Sequence, residues 1–480
     1  MTAPIILWHR RDLRLSDNPA MAWAAQQARP VIPVFLHDEV VEGWGAAPRW
    51  RMDQSLRAHS RRLRGAGSRL VFRRGPALEA LRGLVAETGA DAVVWNRLYV
   101  EDERTRDEGV KAALKEDGID ARSFAGHVLF EPWTVETGQG GYYRVYSPFW
   151  RAVRDRDPGG CEETVTALPA PDGWPASDDL DDWDMGGAMR RGADVVARYA
   201  TVGELAAHER LDGFMDGPVA DYADARDMLG EDGTSGLSEN LTYGEVSARA
   251  CWHAAQAAHA DGQPGAETFL KELVWRDFAH HLAYHTPRLT KSNWKPEWDD
   301  FPWRGDSDEA EVWRRGRTGI PVVDAAMRQM WTTGTMHNRA RMLVASYLTK
   351  HMMTHWRVGC DHFADCLIDW DPASNAMGWQ WTAGSGPDAA PFFRVFNPDT
   401  QAEKFDPDGL YRARWVAELG GQGERRARGN TGDDGLAFFE AIPLRWGMAP
   451  DDPYPSSPIV ELKAGRERAL DAYAARKAAE

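Results

Sequence analysis

The strongest constraint on the fold lies in the first 130 residues, where short apolar runs alternate with helix-length stretches. Ile5 to Trp8, Val31 to Leu36, Arg69 to Phe72 and Ala92 to Trp95 have the length and character of strands. The intervening segments, about Pro19–Ala28, Arg49–Ala66, Leu78–Thr88 and Thr105–Glu116, have helical patterns. Strands and helices alternating at this spacing predict βαβ units and a parallel sheet. Runs as uniformly apolar as Val31-Ile-Pro-Val-Phe-Leu belong to strands covered on both faces. The predicted class is α/β, with an N-terminal doubly wound, Rossmann-like parallel sheet. No G-x-G-x-x-G follows the first strand, so the usual dinucleotide fingerprint is missing.

The rest of the chain has a different texture. From about Asp155 to Gly203, Gly, Pro and Asp dominate, as in a linker lying over the surface. From about Thr201 onward the pattern is helical. The expected division is an α/β domain over 1–132, a linker over 133–202 and an all-α domain over 203–480, within the two to four domains that 480 residues suggest. One helix is expected from Pro321 to Trp331, ended by Gly334. The next is expected from His337 to Trp356, closed by Gly359. The Gly-rich stretch near Gly420–Asp434 is expected to be an exposed loop. No apolar run is long enough for a membrane helix, and the N-terminus lacks a signal-peptide pattern, so an intracellular, cytoplasmic protein without a membrane partner is expected.

Net charge is −16, which by itself argues against a nucleic-acid partner. Local distribution decides what a surface attracts. Between Lys271 and Arg357 there are 14 Lys/Arg against 10 Asp/Glu, whereas Asp172 to Asp184 holds six Asp and no base. The four cysteines form no CxxC pair and read as reduced structural thiols. His281/His285 and His351/His355 have i, i+4 spacing, but no H-E-x-x-H accompanies them, and no metal is expected. Tryptophan is abundant, 22 against 16 Phe and 12 Tyr. Such a count suits packing and is compatible with one-electron chemistry.

Four segments stand out. Asp232-Gly-Thr-Ser-Gly-Leu-Ser offers hydroxyls and backbone amides of the kind that cradle phosphate, and equally suits a plain turn before a helix. Glu272 and Arg276 are i, i+4 on one helix face with Trp275 beside them, an arrangement shared with ordinary ion pairs. Met336-His-Asn-Arg-Ala-Arg-Met crowds two arginines at a helix start, where they can meet an anion. Asp369-Trp-Asp-Pro-Ala-Ser-Asn-Ala-Met-Gly-Trp-Gln-Trp combines two carboxylates, an amide and two indoles.

In order along the chain, these segments resemble the cryptochrome/photolyase family, and most closely the cyclobutane pyrimidine dimer (CPD) photolyases. The resemblance begins at Trp8-His-Arg-Arg-Asp-Leu-Arg-Leu-Ser-Asp-Asn-Pro. It continues through Gly233-Thr-Ser-Gly-Leu-Ser, Gly319-Ile-Pro-Val-Val-Asp-Ala-Ala-Met-Arg-Gln, Met336-His-Asn-Arg, Gly378-Trp-Gln-Trp and Phe393-Arg-Val-Phe-Asn-Pro to Tyr454-Pro-Ser-Ser-Pro-Ile-Val. It implies an antenna domain followed by a helical FAD domain, light-driven electron transfer from FADH⁻, and UV-damaged DNA as partner. A monomer without an obligate protein partner is expected.

By position, the resemblance assigns Tyr222, Thr234, Ser235, Gly236, Leu237 and Ser238 to the FAD phosphates and ribityl chain. It assigns Arg276, Arg341, Asp369, Trp370 and Asp371 to the flavin pocket, and Asn375 to flavin N5. Glu272, Trp275, Asn338, Met342 and Trp381 match the pocket for the flipped dimer. Arg276, Arg339, Arg394 and Gln401 match DNA contacts, and Trp379, Trp356 and Trp303 an electron-transfer triad. Glu103 and Lys291 match antenna positions that imply a reduced folate; a deazaflavin or an empty site stays open because a histidine expected near Ala46 is missing. His9, Gly236, Thr335 and Trp370 depart from the common pattern, and Gly236 leaves the phosphate turn less constrained. The alternatives are a cryptochrome-type photoreceptor and a (6-4) photolyase. Asn338, Asn375 and Trp381 favour CPD repair over the first. A lone His337, where that chemistry uses a histidine pair, disfavours the second.

Overall fold

A computed structural model of the chain describes residues 2–388, 394–419 and 433–479. Most of the predicted Gly420–Asp434 loop, and Phe393, lie outside the described residues. Contacts divide the chain into two units. The first comprises Met1–Gly187, Thr201–Ala220 and Ser235–Pro287, and the second Ala188–Ala200, Asp221–Thr234 and Arg288–Glu480. This is a different cut from the division at 132 and 202, because residues 235–287 pack with the first unit.

In the first unit, β1 (Ile5–His9), β2 (Val31–His37), β3 (Val71–Arg74), β4 (Ala92–Asn96) and β5 (Asp120–Phe124) form one parallel sheet in the order β3-β2-β1-β4-β5. Ile5 faces Val31 on one side and Ala92 on the other. Every residue of β1, β2 and β4 is buried, as the uniformly apolar runs require. The fifth strand escapes sequence reading because it is an edge strand whose Asp120 and Arg122 are exposed. Crossover helices Pro19–Gln26, Ala46–Gly65, Ala77–Thr88 and Glu101–Glu116 lie close to their predicted spans.

The helix Ala266–His285 also belongs to this unit. Its Asp277 is buried and accepts the backbone N–H groups of Leu129 and Phe130, at 2.9 Å each to Oδ2. Burial outweighs these bonds and Arg276, pushing the carboxyl up from 3.8 to about 6. A carboxyl whose pKa is raised on folding favours the folded state fully below pH 4. That contribution is lost as pH rises to about 6 and stays absent above. Asp277→Asn is expected to remove about 2 kcal/mol of this pH dependence, read as the wild type minus variant difference in urea unfolding between pH 4 and pH 7.

In the second unit the helix Pro321–Thr333 ends at Gly334, whose φ of 69° gives the left-handed cap. The expected helix from His337 to Trp356 is two helices. Asn338–Ser346 runs into a π-helical turn, Tyr347–His351, and the chain then breaks. A new helix, Trp356–Cys366, starts with the Nδ1 of His355 accepting the N–H of Arg357 at 3.1 Å. Gly359 therefore closes nothing; it lies inside this helix. The helix Pro372–Ala383 packs against it, and Asp371 caps its start by accepting the N–H of Ser374 at 2.7 Å. Leu343, Val344, Leu348, Trp356, Phe363 and Trp379 share one core cluster. Among the described residues no helix is long and apolar enough to cross a membrane.

Candidate active site

Three helices of the second unit concentrate the predicted residues. On Asn338–Ser346, Arg341 donates from Nη2 to Asp369 Oδ2 and from Nε to the carbonyl of Met336, each at 2.7 Å. Asp369 is only 5 % exposed, so a guanidinium beside it keeps a buried carboxylate compensated. Nη1 of Arg341 makes no hydrogen bond among the described residues. Asn338 is exposed at the helix start, and Met342 lies one turn further on, half-buried. Their neighbour His337 spends Nδ1 on the N–H of Arg339, and burial pushes its pKa down to about 4.

Asn375, on Pro372–Ala383, donates from Nδ2 to the carbonyl of Cys360 at 3.0 Å. That fixes the orientation of the amide and leaves its oxygen as an acceptor without a partner among the described residues. One turn later, Trp379 is 3 % exposed and meets Phe363 edge-on at 4.9 Å and Trp313 at 6.1 Å. Its indole N–H is buried and has no acceptor among the described residues. Trp356 is fully buried, with its N–H donated to Asn293 Oδ1 at 2.8 Å. Trp303 is half-buried, with its N–H on the carbonyl of Thr349 at 3.0 Å. Trp381 is half-buried two residues beyond Trp379, and Trp370 packs against the same core cluster. Tyr222 is buried, and Thr234 is partly exposed.

In the first unit, Glu272, Trp275 and Arg276 are half-buried on one helix. Trp275 stacks on Tyr146 with ring centroids 3.6 Å apart and planes 7° from parallel, and Tyr146 donates its hydroxyl to the carbonyl of Lys271 at 2.7 Å. The indole is thus held flat before any substrate arrives. Arg276 donates from Nη1 to the carbonyl of His127 at 2.7 Å. In the turn Ser235–Ser238, Gly236 has φ 63°, and a Cβ there would lie 3.3 Å from the Arg210 guanidinium. Arg210 donates to the Gly236 carbonyl at 2.5 Å and to Glu239 at 2.7 Å. The glycine supplies the positive φ of the turn, and Arg210 pins the turn through its carbonyl.

Two family models match the chain: "DNA photolyase" over residues 5–172 and "FAD binding domain of DNA photolyase" over 269–475. A deoxyribodipyrimidine photo-lyase of Agrobacterium fabrum is 45% identical over 99% of this chain and 98% of its own. The chain belongs to the DNA photolyase family. Among solved structures, a bacterial class III photolyase from Agrobacterium tumefaciens is similar at TM-score 0.90 and 45% identity, covering 99% of this chain and 98% of its own. A cryptochrome from Synechocystis is similar at TM-score 0.81 and 25% identity, over 98% and 99% of the two chains.

The second-unit residues fit the FAD that this photolyase domain binds. Arg341 Nη1, Asn375 Oδ1 and the Trp379 N–H are polar atoms left without protein partners among the described residues. They offer a cationic donor, a neutral acceptor and a neutral donor, a set suited to the polar edge of an isoalloxazine. Other expected roles are weighted by partners in the structure. Arg339, expected at DNA, donates to Asp227 at 2.5 Å and lies over the ring of Phe405 at 4.4 Å, so its charge is already partly met. Arg394 is exposed, its carbonyl held by Lys350 Nζ at 2.8 Å, and Gln401 is half-buried on the helix Pro398–Phe405. Glu103 is buried and accepts from Arg11 Nε at 3.3 Å, while Lys291 is exposed.

Sequence reasoning missed Cys360, Asn293, Tyr146, Arg210 and Gly359. Only Gly359 left a signal, as a glycine interrupting the pattern Trp356 to Cys366. The others act through single atoms or faces that no spacing encodes.

Proposed function

We propose that this chain is a deoxyribodipyrimidine photolyase that repairs cyclobutane pyrimidine dimers in DNA under light. The observation that carries the reading is the Asn375 carboxamide, turned by Cys360 so that an acceptor oxygen is free, on the same helix as Trp379 and close in sequence to Asp369. When bound as the reduced anion, FAD supplies the light-driven electron that splits the dimer and takes it back, so the reaction is redox-neutral. Arg341, held by Asp369, favours a bound anion. Asn375 accepts a hydrogen bond and has no acidic proton to give. Trp275, preset by Tyr146, and Trp381 supply apolar faces for the extruded bases, whose removal from the duplex costs a few kcal/mol, less for a lesion that pairs poorly. Glu272 hydrogen-bonds the bases and stabilises their radical anion. Arg276, Arg339, Arg394 and Gln401 contact the DNA, giving salt-dependent affinity. Tyr222 and Thr234 to Ser238 hold the FAD phosphates and ribityl chain, and Trp379, Trp356 and Trp303 refill the flavin. On this reading residues 1–132 form an antenna domain, with Glu103 and Lys291 near a reduced folate or deazaflavin, and 203–480 the repair domain. The protein works at DNA in the cytoplasm as a monomer.

His337 supports CPD repair over (6-4) repair: a single imidazole, neutral at pH 7 and engaged in capping, is no proton donor. The test is an absorption spectrum followed by a blue-light assay on dimer-containing oligonucleotide. Flavin bands with dimer loss support the reading. Flavin bands with intact dimers point to a photoreceptor. Glu272→Ala is expected to lower repair yield about tenfold, ~1.4 kcal/mol, with less than a threefold change in affinity for damaged DNA.

A further inference from the structure

His355 touches both outer indoles. Its ring centroid lies 5.2 Å from that of Trp303, at 76°, and 5.5 Å from that of Trp356, at 31°. The N–H groups of these indoles are donated to the carbonyl oxygens of Thr349 and Asn293. A carbonyl oxygen is far too weak a base to take the proton of an oxidised indole. A hole on either ring therefore remains a full positive charge, exposed to the field of whatever lies against it.

We infer that His355 is a positioning residue for electron transfer: neutral, it lets the hole settle on Trp356 and Trp303, and protonated, it drives the hole back. The inference rests on the electron-transfer role given above to Trp379, Trp356 and Trp303. The balance is one electron passing inward, from Trp379 to the light-excited flavin, from Trp356 to Trp379 and from Trp303 to Trp356. No bond or proton is exchanged, and one positive charge is left on Trp303. A thiol or another one-electron donor in solution later refills it.

The surroundings suit such a switch. His355 is half-buried and lines a cavity of about 510 Å³, through which protons reach it. Burial and the nearby Arg357 guanidinium hold its pKa below the ordinary histidine value, with Asp299 opposing them, so the ring is neutral at pH 7. The other titratable and charged groups around it are Asp361, His362 and Asp365 on its own helix, Arg304, whose carbonyl accepts the backbone N–H of His355 at 2.8 Å, Arg288, which pairs with Asp299 at 2.6 Å, and the Asp306–Arg314 pair lining the same cavity, joined at 2.7 Å. That pair is internally neutral, Arg357 is a fixed cation 5.1 Å from the centre of the Trp356 ring and 3.9 Å from Asp361, burial raises the Asp361 carboxyl, and burial pushes His362 down to about 3. Protonation of His355 therefore adds a charge beside a constant Arg357, and loss of charge at Asp361 acts in the same direction but is kept in His355→Asn, which separates the two.

The test uses the FAD-loaded protein. The yield of indole radical cation after a flash is measured by transient absorption from pH 8 to pH 5. The His355 ring is titrated in parallel by carbon-13 NMR, its signal assigned by its loss in His355→Asn. Asparagine keeps the helix cap and cannot be protonated in this range. The expected result is a fall of about tenfold or more in the wild type, with a midpoint matching the NMR titration, and a flat profile in His355→Asn. His355→Lys and His355→Met both lose the cap and differ in charge, so the lysine variant is expected about tenfold or more below the methionine variant at pH 8. A wild-type profile flat through the NMR midpoint, or equal yields from the lysine and methionine variants, would overturn the inference. If Trp356→Phe leaves the radical yield unchanged, the electron path itself is wrong, and that failure is distinct from one confined to His355.

Discussion

Replacing Arg341 with methionine is expected to give protein that folds less stably and emerges from purification without flavin. Asp369 is 5 % exposed and accepts from Arg341 at 2.7 Å. Removing the cation leaves its carboxylate buried without that partner, a change that costs about 3–5 kcal/mol where a buried pair is broken from one side. The same change removes Nη1, the donor the site holds ready for an anion. The two effects separate. Arg341→Met with Asp369→Leu deletes both charges, and a buried pair replaced by apolar side chains is close to neutral for stability. The double variant is therefore expected to recover most of the lost denaturation midpoint and still bind no flavin. Urea unfolding and the ratio of flavin to protein absorbance check the two halves independently. A double variant that stays as unstable as Arg341→Met would place the cost in packing of the arginine stem rather than in charge. Full flavin occupancy in either variant would remove Arg341 from the cofactor site.

The sheet was legible in the sequence because a parallel strand covered on both faces must be apolar at every position. β1, β2 and β4 are apolar up to their last residues, His9, His37 and Asn96, and all of their residues are buried. β5 obeys a different rule: at the edge, Asp120-Ala-Arg-Ser-Phe needs only one apolar face, and its charges read as loop. Helices were legible where a cap marked them, at Pro321 and at Gly334. The false continuity from His337 to Trp356 has a specific cause. Met342, Ala345, Leu348 and Met352 keep helical spacing through the π-helical turn, so the pattern survives a break that the backbone does not. What ends the helix is Met353 at φ 54°, a conformation that methionine composition does not announce.

The site was legible as a set of residue types and illegible as a set of orientations. Asn375 was recognisable by its position in an ordered series of motifs. That its nitrogen is committed to Cys360, and its oxygen therefore available, follows from a helix 15 residues earlier in the chain. Gly236 looked like a weakness of the phosphate turn because the sequence cannot show that Arg210 holds the carbonyl of this positive-φ glycine. Tyr146 under Trp275 is a third case: the two are brought face to face by folding alone. In each case a residue elsewhere in the chain fixes the orientation of the recognised one.

Gly359 turns the same point into a measurement. A Cβ at this position would overlap the Trp379 ring, and the neighbour is a rigid indole in a packed core rather than a flexible tip. Gly359→Ala is expected to destabilise by about 1–3 kcal/mol through overpacking, against the small helix-propensity gain that alanine brings. The indole must move, and photoreduction of oxidised flavin is expected to fall about tenfold, ~1.4 kcal/mol of barrier. Trp379→Phe acts differently: it removes the redox-active ring, slows photoreduction by about tenfold or more, ~1.4 kcal/mol or above, and leaves repair by pre-reduced protein nearly intact. The smaller phenyl ring also vacates the space that the methyl group of Gly359→Ala needs. In the double variant the two destabilisations should sum to less than their parts, with a coupling of about 1 kcal/mol, as expected for residues in contact. Simple additivity in urea unfolding would mean that helix Trp356–Cys366 yields instead of the indole. Unchanged photoreduction in Trp379→Phe would remove this tryptophan from the electron path.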